Sequence, residues 1–336
     1  MRLKKWMGII LSAAMLLALL TGCSSKSPAE ADSGSKQSSE SKEKTGGTVG
    51  ILIVTSGSQW CNDIVDSVTE AVKGEGYDVV VSDSQVSVDN ELSGMENLIN
   101  SGCKAIVVNA MNPAGLSDLC KQAQEKGIYI IGWSDLLVNY DALVEENPKE
   151  EAELIADAMA DFVDESAGEG SEMAAIWLSD SANPDTTAGV FKEALEAEFE
   201  ETLVKGKGVN LVNSQYATDS TKAMDVTEAI LAANPNVKLI FCQSDEMGVA
   251  VAQTLEAKGI GKDEVMVCGL DGSEEALNVI AGNNSTLRST VYANTKLIGQ
   301  KVGEAICKYM TDNTAENVIA EYVLINSDNA SEYVTQ

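Results

Sequence analysis

The stretch Lys238 to Ser273, "KLIFCQSDEMGVAVAQTLEAKGIGKDEVMVCGLDGS", decides the fold. Its two runs "KLIFCQ" and "EVMVCG" are apolar on consecutive residues, so each must be covered on both faces, and Glu246 to Lys258 between them has helical spacing. Strand, helix, strand with both strand faces covered is the unit of a parallel sheet. The pattern continues outward: "MAAIWL" and "VNLVNS" precede it with the helical segment Asp219 to Ala232, and "LRSTVYA" follows it with Lys296 to Met310. Further upstream, "TVGILIV", "YDVVVS", "KAIVVNA" and "IYIIGW" alternate with helical segments at Asn62 to Lys73, Asn90 to Asn100 and Ala114 to Lys126. The acidic stretch "EENPKEEAELIADAMADFV" separates the two sets. The fold class is therefore α/β, two doubly wound parallel-sheet lobes, alike in pattern without a close sequence repeat.

The 336 residues, 44% of them apolar, suffice for two such cores. Residues 1–22 have a basic start, an apolar stretch and a small-residue end, the layout of a secretory signal. The following Cys23 closes "LLTGC", which resembles a lipobox, so Cys23 is expected to carry lipid and tether the chain to a membrane. Residues 23–47 supply the lipidated cysteine and a flexible Ser, Lys, Glu and Gly linker, and folded structure is expected from Thr48. The formal charge is −29, and the first 22 residues carry three cations and no acid, so their loss leaves −32. Such a field disfavours nucleic acid.

Six further cysteines show no CxxC spacing, and the chain has no histidine. That removes His-assisted hydrolysis and a Cys/His zinc site, and there is no phosphate-cradling GxxxxGK[ST] loop and no GxSxG. No cofactor or metal is expected.

In an open parallel sheet the loops at the carboxyl ends of the strands form the binding crevice. Here they read "TSGSQW", "NAMNP", "WSD", "LSDSANPD", "CQSDE" and "GLDGS". Residues 242–259 followed by 265–280, together with "IVTSGSQWCNDIVDSVTEAVKGEGYDVVVSDSQ" from Ile53, resemble the ribose-type periplasmic binding proteins, solute receptors of ABC importers. The fold is shared with the sensor half of LacI-type repressors, but no helix-turn-helix precedes it here.

The resemblance, over residues 48 to 325, implies ligand contacts by position. Trp60 and Cys61 stand at an aromatic pair, with Ser58 before them at a hydroxyl-binding position. Ser134 and Asp135 stand where an acidic and a basic residue usually follow one another, after Trp133. Asp185 replaces a common arginine, Thr218 an aromatic, Ser244 an asparagine, and Ala293, next to Asn294, a Gln or Asn; Asp271 keeps the usual aspartate. Trp60 and Trp133 equally suit core anchors, Asp135 and Asp185 solvated loop acids, and Asp271 a helix cap.

The resemblance further implies an N-terminal lobe of residues 48–144 plus 294–321 and a C-terminal lobe of 145–293 plus 322–336. Three crossings, near Glu145 to Asn147, Ala293 to Asn294 and Tyr322, would act as a hinge. The expected function is capture of a small ligand by a monomeric extracytoplasmic lipoprotein and its delivery to an ABC permease. The only arginine after the signal, Arg288, lies in a strand run, so an anionic ligand is disfavoured. A neutral monosaccharide or polyol leads, and a nucleoside or amine follows. Two alternatives of another class stand beside it: a sensor subunit for a chemoreceptor or kinase, and carboxylate-based glycoside hydrolysis by Asp135, Asp185 and Asp271.

Overall fold

The computed structural model describes residues 46–134 and 136–334; Cys23 and Asp135 lie outside the described residues. Most of the aliphatic runs become inner strands of two sheets, whereas "YDVVVS" and "VNLVNS" become edge strands that are not covered on both faces. The first sheet holds β1 (Thr48–Ile53), β2 (Asp78–Asp83), β3 (Ala105–Val108), β4 (Tyr129–Gly132), β5 (Ala142–Glu145) and, much later in sequence, β11 (Val318–Ile319). Its order is β11-β5-β4-β3-β1-β2, with every neighbouring pair parallel. The second holds β6 (Glu172–Leu178), β7 (Asn210–Ala217), β8 (Val237–Cys242), β9 (Met266–Leu270), β10 (Leu287–Ala293) and β12 (Tyr322–Asn326), in the order β12-β10-β9-β8-β6-β7. Only β12 runs antiparallel to its neighbour.

Helices cover both sheets: α1 (Gln59–Gly74), α2 (Val88–Asn100), α3 (Ser117–Glu125), α4 (Pro148–Phe162), α5 (Thr187–Glu198), α6 (Ser220–Ala233), α7 (Asp245–Ala257), α8 (Glu274–Ala281), α9 (Thr295–Asp312) and the short α10 (Ala330–Tyr333). The acidic stretch between the two sets of strands is itself a helix, α4. Its Asn147 cap accepts from Glu150 N–H, Pro148 occupies the first turn, and Ala152, Ile155, Ala156 and Met159 form its buried face against α5 and the second sheet. The chain thus passes from one sheet to the other after β5, after β10 and between β11 and β12. After the second crossing α9 returns to α1. The two helices approach so closely at Gly299 and Gly303 that a β-carbon at either position would collide with Ser67 or Ala71. Ile64 and Val68 of α1 and Ile298, Val302 and Ile306 of α9 belong to one buried cluster that continues into the second lobe through Trp177, Phe199 and Phe241.

Candidate functional site

The first lobe brings its β1–α1 and β4–β5 connections together. Ser58 precedes α1 with extended backbone, and its hydroxyl makes no capping bond to the helix. Trp60, in the first turn of α1, is half-buried and meets Trp133 at a ring separation of 5.9 Å and an interplanar angle of 77°. Trp133 is 1% exposed, so it backs Trp60 and offers no open face of its own. Cys61 is buried and donates weakly to Asn109 Oδ1 at 3.7 Å. Desolvation pushes its thiol up to about 11, and the carboxyl of Asp271, from the other lobe, pushes in the same direction. The start of α1 faces the other lobe through Gln59, whose N–H reaches Glu246 Oε1.

The second lobe supplies that face from the ends of β8 and β9. Ser244 caps α7 by accepting from Met247 N–H, which places Asp245 and Glu246 in the first turn. Asp271 follows β9 with φ +105°, a left-handed backbone that a residue with a β-carbon rarely adopts, and such strain concentrates at ligand sites. Asp245, wholly buried, accepts from Ser273 N–H at 2.6 Å, and burial pushes its carboxyl up to about 7. Asp271 is held well above the carboxylate range, first by desolvation and then by Glu246, Asp245 and Glu151.

The lobes touch at the cleft. Gln59 N–H donates to Glu246 Oε1 at 3.3 Å. Thr187 donates from its backbone to Met111 O and from its hydroxyl to Ala110 O, both at 3.3 Å, and its hydroxyl lies 3.5 Å from Ser134 Oγ. The receiving loop is braced from behind by the buried Glu91, which accepts from Met111 and Asn112 N–H. On the other side, Gln243 accepts from Leu178 N–H and the Ser181 hydroxyl and donates to Ala188 O, fixing the loop that leads into α5.

Of the residues singled out from sequence, Ser58, Trp60, Cys61 and Trp133 converge on the first lobe, Asp271 stands at the end of β9 on the second, and Ser134 joins the contact to Thr187. Ser244 is a buried cap. Ala293 ends β10 half-buried, and Asn294 caps α9 and accepts from the Tyr292 hydroxyl. Asp185 and Thr218 are exposed and bonded locally, the Asp185 N–H to Asn183 Oδ1 and the Thr218 hydroxyl to Asp219. Sequence reasoning passed over Asn109 and Thr187, and Glu246, which lies in the first turn of α7 as its place before the helical run suggests, also reaches Gln59 across the cleft. All three lie in or beside the crevice loops already picked out. Arg288 begins β10, at the end of the strand away from the crevice, where it bonds Lys262 O and lies over Phe162. Among the described residues no group of three or more Cys, Asp or Glu is placed to hold a metal ion, the six cysteines are free thiols, and no helix is long and apolar enough to cross a membrane.

Two cavities lie outside this convergence. A mouth of about 330 Å³ opens between Val88, Met111 and Asn112 of the first lobe and Asp180, Asn183 and Thr186 of the second. A wider groove of about 860 Å³ runs along α1 and α9 on the first lobe, rich in carboxylates.

Two sheets joined by three crossings, with an aromatic pair on one lobe and a strained aspartate on the other, fit a two-lobed solute receptor, and comparison with known proteins agrees. Residues 49–315 match the family model described as periplasmic binding protein domain, so the chain belongs to that family. It is 26% identical to the ribose import binding protein RbsB of Bacillus subtilis (strain 168), covering 90% of this chain and 92% of the relative. It is 31% identical to the D-allose-binding periplasmic protein of Escherichia coli (strain K12), covering 67% and 72%. Among solved structures, a galactofuranose binding protein superposes with a TM-score of 0.74 at 18% identity, covering 85% of this chain and 97% of its own, which shows the shared fold.

Proposed function

We propose that this chain is the solute-binding component of an ABC importer and that it captures a monosaccharide or polyol between its lobes. The observation that carries the reading is the half-buried ring of Trp60 in the turn that meets Glu246 of the other lobe, with the left-handed Asp271 at the end of the neighbouring strand β9. An aromatic face suits the C–H side of a sugar, and carboxyl and hydroxyl groups orient the polar edge. Relatives named for ribose, allose, fructose and xylose support the class of ligand. Ser58, Cys61, Asn109, Ser134, Ser244 and Asn294 line or brace the site in this reading, and the segments at 145–147, 293–294 and 320–322 flex as the hinge. Ligand contact with both lobes favours closure by its differential affinity, and the closed surface is what a permease reads. Lipid on Cys23 holds the chain on the outer side of a membrane, and the ligand leaves chemically unchanged.

The test is a thermal-shift screen of the full chain against pentoses, hexoses, polyols, nucleosides and amino acids, followed by calorimetry on the hits. A ligand that binds only the folded state raises the melting temperature by mass action. A shift from sugars or polyols supports the reading; a shift from amino acids or nucleosides alone refutes it.

A further inference from the structure

Two consecutive peptides beyond the end of β3 are held by one buried side chain. Glu91 of α2 is 1% exposed; its Oε1 accepts from Met111 N–H at 2.6 Å and its Oε2 from Asn112 N–H at 3.2 Å. In a trans peptide the carbonyl points away from the N–H. Tying both N–H groups behind the loop therefore turns the carbonyls of Ala110 and Met111 forward. Those two carbonyls are the acceptors that Thr187 of the second lobe uses: its hydroxyl donates to Ala110 O and its N–H to Met111 O, both at 3.3 Å.

Thr187 is fixed as firmly on its own side. It opens α5, so its N–H is one of the donors for which the helix itself has no partner. Before it, the hydroxyl of the buried Thr186 accepts from Gly189 N–H and donates to Asn183 O at 2.8 Å; after it, Ala188 O accepts from Gln243. β3 stands two strands in from β5, after which the chain first leaves this sheet, so rotation about the crossings separates Thr187 from its acceptors. Every partner in these bonds belongs to the protein, and the bonds contribute equally whatever occupies the cleft.

We propose that Thr187 and the paired carbonyls of Ala110 and Met111 form a latch that holds the lobes together independently of ligand, with Glu91 as the positioning residue that aims the carbonyls. The free chain then divides between an open and a latched form, and the latch scales the affinity for every ligand by one factor while taking no part in selectivity. This inference rests on the hinge-closure reading but not on the ligand being a sugar.

The experiment reads lobe separation in the ligand-free full chain by single-molecule energy transfer between dyes on unnatural amino acids placed at Asp89 of the first lobe and Lys222 of the second, both exposed. Wild type should show two separations. Thr187→Val keeps the shape and removes the hydroxyl donor, so the closed-to-open ratio should fall about fivefold, the worth of one neutral hydrogen bond. Thr187→Ser should restore it. Glu91→Gln offers one acceptor oxygen to two N–H groups and should lower the ratio at least as far; its melting point is measured alongside, and if it does not fold the Thr187 variants decide. Two separations in the same ratio for wild type and Thr187→Val overturn the latch and leave the hinge reading intact. A single long separation in wild type also overturns the latch alone, whereas a single short one in every chain overturns the hinge reading with it. A ratio that falls with Glu91→Gln no further than the loss in melting point explains, while Thr187→Val lowers it, overturns the role of Glu91.

Discussion

Replacing Trp60 by alanine separates a ligand platform from a core anchor, because the two roles load different measurements. Trp60 is half-buried, and its described ring contact is the steep one with Trp133. A sugar ring lying on the remaining indole surface would cover roughly 80 Å², which at about 25 cal/mol per Å² is about 2 kcal/mol. That corresponds to about a thirtyfold rise in Kd. Loss of the Trp60–Trp133 pair itself costs folding about 1 kcal/mol. Calorimetry with the tightest ligand from the screen and thermal denaturation of the unliganded protein, run on wild type, Trp60→Ala and Trp60→Phe, read both quantities. The expected outcome is a Kd raised about thirtyfold in the alanine variant, mostly recovered by phenylalanine, with a melting point lowered by only a few degrees. An unchanged Kd accompanied by a large loss of thermal stability would refute the platform and make Trp60 part of the core.

Three further outcomes follow from other residues. Cys23→Ala should release the full chain from the membrane fraction of a lipoprotein-competent bacterium, and unchanged fractionation would remove the tether. Asp271→Gly relieves a left-handed backbone and several like-charge contacts, so it should raise the melting point of the free protein while lowering ligand affinity at least about tenfold; a lowered melting point would show that the carboxyl is structural. Burial holds the Asp245 carboxyl up at about 7 against an ordinary 3.8, so the folded chain keeps a proton that the unfolded chain releases. The stability from this group is therefore complete below about pH 4 and is lost as pH rises to about 7, on the order of 4 kcal/mol in all. Denaturant titrations across that range should show Asp245→Asn gaining on wild type as pH rises, and parallel curves would contradict the assignment.

Consecutive apolar residues made β1, β3, β4, β8 and β9 legible in sequence, whereas Ser244, read as a ligand contact, is the cap of α7. The elements that escaped carry little pattern. β11 is two residues long, β5 is a four-residue "ALVE", and the buried face of α4 mixes Ala152, Ala156 and Ala160 with Ile155, Met159 and Phe162 among acids. At the site, Asp271 directly follows β9, and Trp60 opens the helix after β1. Thr218 just as directly follows β7, and Asp185 lies as far beyond β6 as Trp60 does beyond β1, so position along a connection does not set where a side chain points; both face solvent. Trp133 could not be divided between core and ligand until its burial was known.

The exchange of segments between the lobes also governs how the chain is made. The apolar side of α1 is closed by α9, which lies more than 200 residues later, and β5 gains its outer neighbour only when residues 318–319 arrive. β10 likewise waits for β12. Neither lobe is a contiguous fragment, so a nascent chain ending before about residue 295 leaves Ile64 and Val68 uncovered, and native structure in the first half depends on contacts of very long sequence separation. Such contacts form slowly. The same delay keeps both sheets open at one edge until nearly all of the chain has been synthesised.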